Sequence, residues 1–251
     1  MHSSTVGPAV RVARAAFAIL AAAALAACGS RPATADPKGT EAAPSAAGAP
    51  AAATAGQRAE FARWFAAQPR AALEVPTGGA KVLILKFNDF QCPPCATTHT
   101  EIKPVIDKYR AQDPSAVRYV MVDYPLDSEC NPYVALGGPH PAACEAAAAV
   151  RLAWQHKRAE AMIDWVFANQ ARLTPDLVRQ GAREIGQIDD FDAQYEQALE
   201  SLQGDIELGH QLGIRQTPTF FVNGVRLEGG LVPEYLDEAI KSELQAADRR
   251  R

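Results

Sequence analysis

Basic residues are too few in this 251-residue chain to build a positive face: 25 Lys and Arg stand against 29 Asp and Glu, a net charge of −4. A nucleic-acid binder needs cations to offset phosphate, so that class is excluded and no nucleic-acid partner is expected. Apolar runs are short too. None approaches the roughly 20 residues needed to span a bilayer, which excludes a polytopic membrane protein. Methionine and histidine are scarce, at three and five residues, and form no tract of the kind that would accompany a soft-metal carrier. The five cysteines contain only one closely spaced pair, and Cys130 and Cys144 lie fourteen positions apart, so the second half of a zinc knuckle is missing. No internal repeat is present. What the chain does have, 48% hydrophobic and 22% charged residues, suffices for one or two domains with a buried core.

Residues 1–27 read as a leader. Arg11 and Arg14 precede an apolar run from Ala15 to Ala27, the length of a signal-peptide core and too short for a transmembrane helix. The arginines are not adjacent, which argues against a twin-arginine signal. The segment Leu25-Ala-Ala-Cys28-Gly29 resembles the bacterial lipobox, which implies lipidation at Cys28 and a membrane anchor of several acyl chains. The alternative is simple secretion with Cys28 a bystander. Gly29, where inner-membrane lipoproteins of enteric bacteria carry Asp, favours the outer membrane. Residues 28–56 are almost wholly Ala, Pro, Gly, Ser and Thr and too poor in large apolar groups to offset ordering entropy. They predict a disordered tether with an r.m.s. span of about 30 Å.

From residue 57 to 251 one domain is expected, of α/β class. Phe61, Trp64 and Phe65 share the apolar face of a short helix ending near Pro69. Lys81–Phe87 is a near-continuous apolar run and reads as a buried central strand. A helix follows from Pro93 to about Ala111, with Pro104 the site of any kink. Val117–Val122 is a second strand, parallel to the first in a βαβ unit. An alanine-rich helical region fills about 140–213, with Thr174-Pro175-Asp176 a strong helix start. Thr219–Val222, Asn223-Gly224 and Val225–Leu227 form a hairpin around a type I′ turn. A helix from Pro233 to about Gln245 closes the domain.

The chemistry concentrates at Cys92-Pro93-Pro94-Cys95, between buried strand and helix. Two cysteines one turn apart at a helix N-terminus are close enough for a disulfide, and unpaired amides and the helix dipole favour a thiolate on the first. Strand, CxxC, helix and strand is the context of a redox site. Half of a zinc site and a merely structural disulfide are the competing readings. Thr217-Pro218-Thr219-Phe220 lies about 120 residues downstream.

Together with Phe87–Cys95, that second segment makes residues 75–247 resemble the DsbA-like branch of the thioredoxin superfamily. The resemblance implies a thioredoxin-like fold, a central mixed sheet with flanking helices, carrying a helical insertion of the DsbA type at about 140–213. It implies a cis Thr217–Pro218 bond beside the cysteines and substrate backbone pairing at Thr217, with Pro93 and Pro94 also in the substrate-binding surface. Cys92 becomes the exposed nucleophile and Cys95 the resolving thiol. DsbA carries a histidine in the dipeptide; Pro93 and Pro94 offer no donor, so a less depressed Cys92 pKa and a less oxidising site are expected than in DsbA.

Lys86 departs from the family pattern, because a buried acid occupies that position in thioredoxins and DsbA. Its amine is a candidate proton relay or thiolate-stabilising charge, against an ammonium that snorkels to solvent with only the stem buried. Asp89 is the nearest acid, able to substitute for the missing one or to pair with Lys86, and His99 is a weaker redox candidate one turn past Cys95. Cys130 and Cys144 flank what reads as a loose loop and are expected to form a structural staple of roughly 3 kcal/mol, against a second shuttle pair.

The expected activity is extracytoplasmic thiol–disulfide exchange with cysteine-containing polypeptides, with no cofactor and no metal. Recycling would come from a membrane partner of the DsbB, vitamin-K-epoxide-reductase or reductase type. No dimerisation domain is visible, so a monomer is expected, held to the membrane by its lipid alone. The alternatives are a Cu(I) metallochaperone using the same cysteines and a non-catalytic peptide-binding lipoprotein.

Overall fold

A computed structural model describes residues 52–249. The leader, Cys28 and nearly all of the expected tether lie outside the described residues. The first helix, α1 (Ala55–Ala66), takes in the last two residues of the expected tether. Thr54 and Gln57 explain why: the Thr54 hydroxyl accepts from Gln57 N–H while the Gln57 side chain accepts from Thr54 N–H, a reciprocal cap that satisfies two orphan amides.

The order then runs β1 (Val82–Asn88), α2 (Pro93–Gln112), β2 (Val117–Asp123), α3 (Ala143–Gln155), α4 (Ala159–Asn169), a 3₁₀ turn (Gln170–Arg172), α5 (Pro175–Glu184), α6 (Phe191–Gln211), β3 (Thr219–Val222), β4 (Val225–Glu228) and α7 (Pro233–Arg249). The sheet order is β2-β1-β3-β4. β1 runs parallel to β2, with Val82 beside Val117, and antiparallel to β3, with Ile84 beside Val222. The sheet is therefore mixed, as expected. Asn223 and Gly224 both have positive φ, at 44° and 86°, the backbone a type I′ hairpin demands.

β1 is buried along its whole length, so its two faces must feed two cores. Leu83, Leu85 and Phe87 point into one, with Phe221 and the helices α3 to α6. Val82 and Ile84 point into the other, with Phe65, Ile102, Phe220 and Ile240. The expected insertion thus resolves into four α-helices stacked over one face, with Thr174 capping α5 through Leu177 N–H. Trp64 departs from its expected place: it is 45% exposed. Phe61 stacks on Tyr235 at 4.6 Å and Phe65 enters the core, which leaves Trp64 at the rim of that stripe.

Candidate active site

Pro93 and Pro94 open α2, where a missing N–H costs nothing. Cys92 caps the helix in extended conformation and Cys95 lies one turn in, both as free thiols. The Thr217–Pro218 bond is cis, and it aims the Thr217 carbonyl at Cys92: the Sγ thiol donates to that oxygen at 3.1 Å. The two motifs, 125 residues apart, meet.

Cys92 is not the exposed thiol that the resemblance implies. Only 5% of the residue is accessible and Cys95 has none, while Pro93 and Pro94 are exposed. The cover comes from elements far away in sequence. Thr217 closes one side, and Gln170, past the end of α4, donates to both the Phe90 and Cys92 carbonyls at 2.8 Å. Gln91 adds a third tie, accepting from Ala142 N–H at 2.9 Å.

The electrostatics separate the two thiols. The Cys92 pKa is lowered to about 6. A hydrogen bond from the Cys95 thiol is the largest cause, burial opposes it, and the Thr217 side chain adds to the stabilisation. The Thr217 hydroxyl is buried without a partner while Cys92 is a thiol, so ionisation gives it an acceptor. Cys95 is driven far upward by burial first, and by serving as donor to Cys92. The surroundings therefore favour a thiolate at Cys92 and a protonated thiol at Cys95.

Lys86 has no accessible surface, so its ammonium does not snorkel. It donates to the Cys95 carbonyl at 2.8 Å and lies 5.6 Å from the Phe167 ring. Burial lowers its pKa to about 8, against the upward pull of Cys95 and Cys92. Asp89 is buried but is not the partner of Lys86. Lys86 shares the Val82 and Ile84 face, whereas Asp89 lies past the strand end, where its carboxylate accepts from Gln91 N–H and Leu126 N–H at 2.6 Å. Its ion pair is with His140, Nδ1 to Oδ2 2.9 Å, a residue sequence reasoning passed over. His99 packs on Phe167 at 5.1 Å and sits 3.8 Å from Asp164, with burial lowering its pKa.

Cys130 and Cys144 form a disulfide. The segment between them is not loose: Asn131 is buried and donates to the Pro125 carbonyl at 2.8 Å, and Tyr133 stacks on His210. With both sulfurs in a bridge, the zinc reading has no second thiolate pair.

A four-stranded mixed sheet bearing a helix-start CxxC against a cis proline defines a thioredoxin-type fold. This chain belongs to the thioredoxin family, whose model, described as Thioredoxin, matches residues 77–242. Among solved structures, BdbD of Bacillus subtilis is similar at 21% identity and TM-score 0.53, over 66% of this chain and 89% of that one. The α-DsbA1 of Wolbachia pipientis is similar at 19% identity and TM-score 0.55, over 68% and 89%. Among curated proteins, a Na(+)/H(+) antiporter NhaA 3 of Salinispora tropica is 29% identical over 174 residues, 68% of this chain. The chain spans 24% of that relative's length. No helix among the described residues is long and apolar enough to cross a membrane.

Proposed function

We propose that the protein exchanges disulfides with cysteine-containing polypeptides through Cys92 and Cys95. The observation that carries this reading is the contact between the Cys92 sulfur and the Thr217 carbonyl at the cis proline. It sets a low-pKa sulfur beside a stretch of backbone able to pair with an extended chain.

In the reductive direction the Cys92 thiolate attacks one sulfur of a substrate disulfide. That S–S bond breaks and the other sulfur leaves as a thiolate, giving a mixed disulfide. Cys95 then gives its proton to the Lys86 amine and attacks Cys92 Sγ. The second substrate sulfur leaves as a thiolate, the substrate gains two electrons, and Cys92–Cys95 is oxidised. The same steps reversed oxidise a dithiol substrate, and relative potentials set the direction. A Lys86 pKa of about 8 lets that amine exchange a proton near neutral pH. Pro93 and Pro94 form the exposed lip over which the substrate approaches.

The reading extends to an extracytoplasmic monomer that is anchored through a lipidated Cys28, with the outer membrane favoured, and recycled by a membrane redox partner. It rests on the Leu25–Gly29 motif and the Cys130–Cys144 bridge, a chemistry of oxidising compartments. Insulin reduction and scrambled-RNase reactivation test the activity, with Cys92→Ser as the control. Turnover that disappears in Cys92→Ser is the expected result. A copper-loaded, redox-silent protein, or one that binds peptide without turnover, would overturn it.

A further inference from the structure

A buried carboxylate beside a nucleophilic thiolate is an electrostatic conflict. Asp89 has 1% exposure, and Cys92 N–H donates to its backbone carbonyl at 3.3 Å. Its charge raises the Cys92 pKa. The carboxylate cannot simply be dispensed with, because it holds the backbone on both sides of the site, Gln91 N–H and Leu126 N–H. Two backbone donors satisfy lone pairs but bring no countercharge.

Among the described residues, His140 is the one basic side chain within ion-pair distance of Asp89. It arrives from a segment 51 positions away, anchored by the Cys130–Cys144 bridge. The groups that act on it most strongly are acidic: Asp89 in contact, then Cys92 and Asp127. The hydrogen bond to Asp89 is the first cause holding its pKa above the usual value, and burial opposes it. We propose that His140 is a positioning residue for the exchange reaction: as an imidazolium it neutralises Asp89, so that the structural carboxylate and the Cys92 thiolate coexist. It supplies from a distant loop the countercharge that Pro93 and Pro94 cannot. The inference rests on the exchange activity proposed above.

A neutral imidazole could also donate to Asp89 and merely pin the loop, so the test must separate charge from hydrogen bond. The rate of Cys92 alkylation by iodoacetamide, with the modified residue identified by mass spectrometry, is measured from pH 4 to 9. The full chain and its His140→Gln, His140→Ala and Asp89→Asn/His140→Gln variants are compared. Gln keeps a donor but carries no charge. A midpoint raised by about one unit in His140→Gln, and so a rate about fivefold lower at pH 6, is expected. His140→Ala is expected to match it, and Asp89→Asn/His140→Gln to return towards wild type, since the pair acts as a unit. A His140→Gln profile that overlays the wild type would overturn the proposal, whether or not His140→Ala shifts. Insulin turnover by the wild type is recorded in parallel. Its absence would count against the exchange reading itself, whereas full turnover with an unmoved His140→Gln profile would count against the role of His140 alone.

Discussion

Replacing Lys86 by Met separates what this residue does for the fold from what it does for the chemistry. The amine has no contact with solvent, and burial depresses its pKa from 10.5 to about 8. Each pKa unit corresponds to about 1.4 kcal/mol of preference for the neutral form. The sign follows from linkage. A lysine with a depressed folded-state pKa opposes folding fully below about pH 8, where both states bind the proton, and ceases to do so above the unfolded value. Lys86→Met in the reduced protein is therefore expected to gain about 2–3 kcal/mol at pH 7. The gain shrinks to roughly half by pH 9.5. Urea unfolding at the two pH values measures it. The chemistry runs the other way, because Cys95 loses its proton acceptor and its stabilising charge. A mixed disulfide at Cys92 that persists on the order of 10²-fold longer is expected, read by quenched mass spectrometry with a model disulfide peptide. Because Cys92 pulls the Lys86 pKa upward, losing that charge moves the Cys92 midpoint somewhat above 6, while the hydrogen bonds from Cys95 and Thr217 still hold it below the usual thiol value. A more stable variant with undiminished resolution would refute the relay. A less stable one would refute the burial argument.

Other perturbations have definite signs. Glu145 is buried with one carboxylate oxygen unpartnered, and burial raises its pKa to about 7. Raised acids oppose folding as pH climbs from the unfolded value through the folded one. Glu145→Gln is then expected to add on the order of 2 kcal/mol at pH 8 and almost nothing at pH 4 in chemical denaturation. Replacing Cys130 and Cys144 by Ala removes the bridge over fourteen residues and is expected to cost roughly 3 kcal/mol by the same assay. A 240-nm titration of the reduced protein is expected to show a thiolate step near pH 6. That step moves upward in Cys95→Ala, which loses the strongest hydrogen bond to the sulfur, and less so in Thr217→Val.

The parts of this protein that could be read before its structure are those where chemistry is local. Pro93 and Pro94 at a helix start, Thr174 before Pro175, and Asn223-Gly224 between apolar runs each act through their own neighbours. The strands followed from equally local patterns, whereas the mixed sheet and the meeting of Cys92 with the 217–218 bond were implied by the family resemblance. Residues acting across the fold were hidden. The burial of Cys92 depends on Gln170 and Thr217, which approach from other elements. Asp89 looked like a partner for Lys86 because the two are three positions apart. β1 sends Lys86 to one face and ends before Asp89, whose partner His140 comes in on a loop closed by a disulfide. No sequence period marks that pairing.

Trapping the intermediate tests the exchange chemistry most directly. The Cys95→Ser variant is incubated with an oxidised two-cysteine peptide, alkylated in acid and mapped by mass spectrometry without reduction. A single peptide adduct on Cys92 is expected, absent from Cys92→Ser, with Cys130–Cys144 still bridged. No adduct on Cys92, or one on Cys130 or Cys144 instead, would contradict the account.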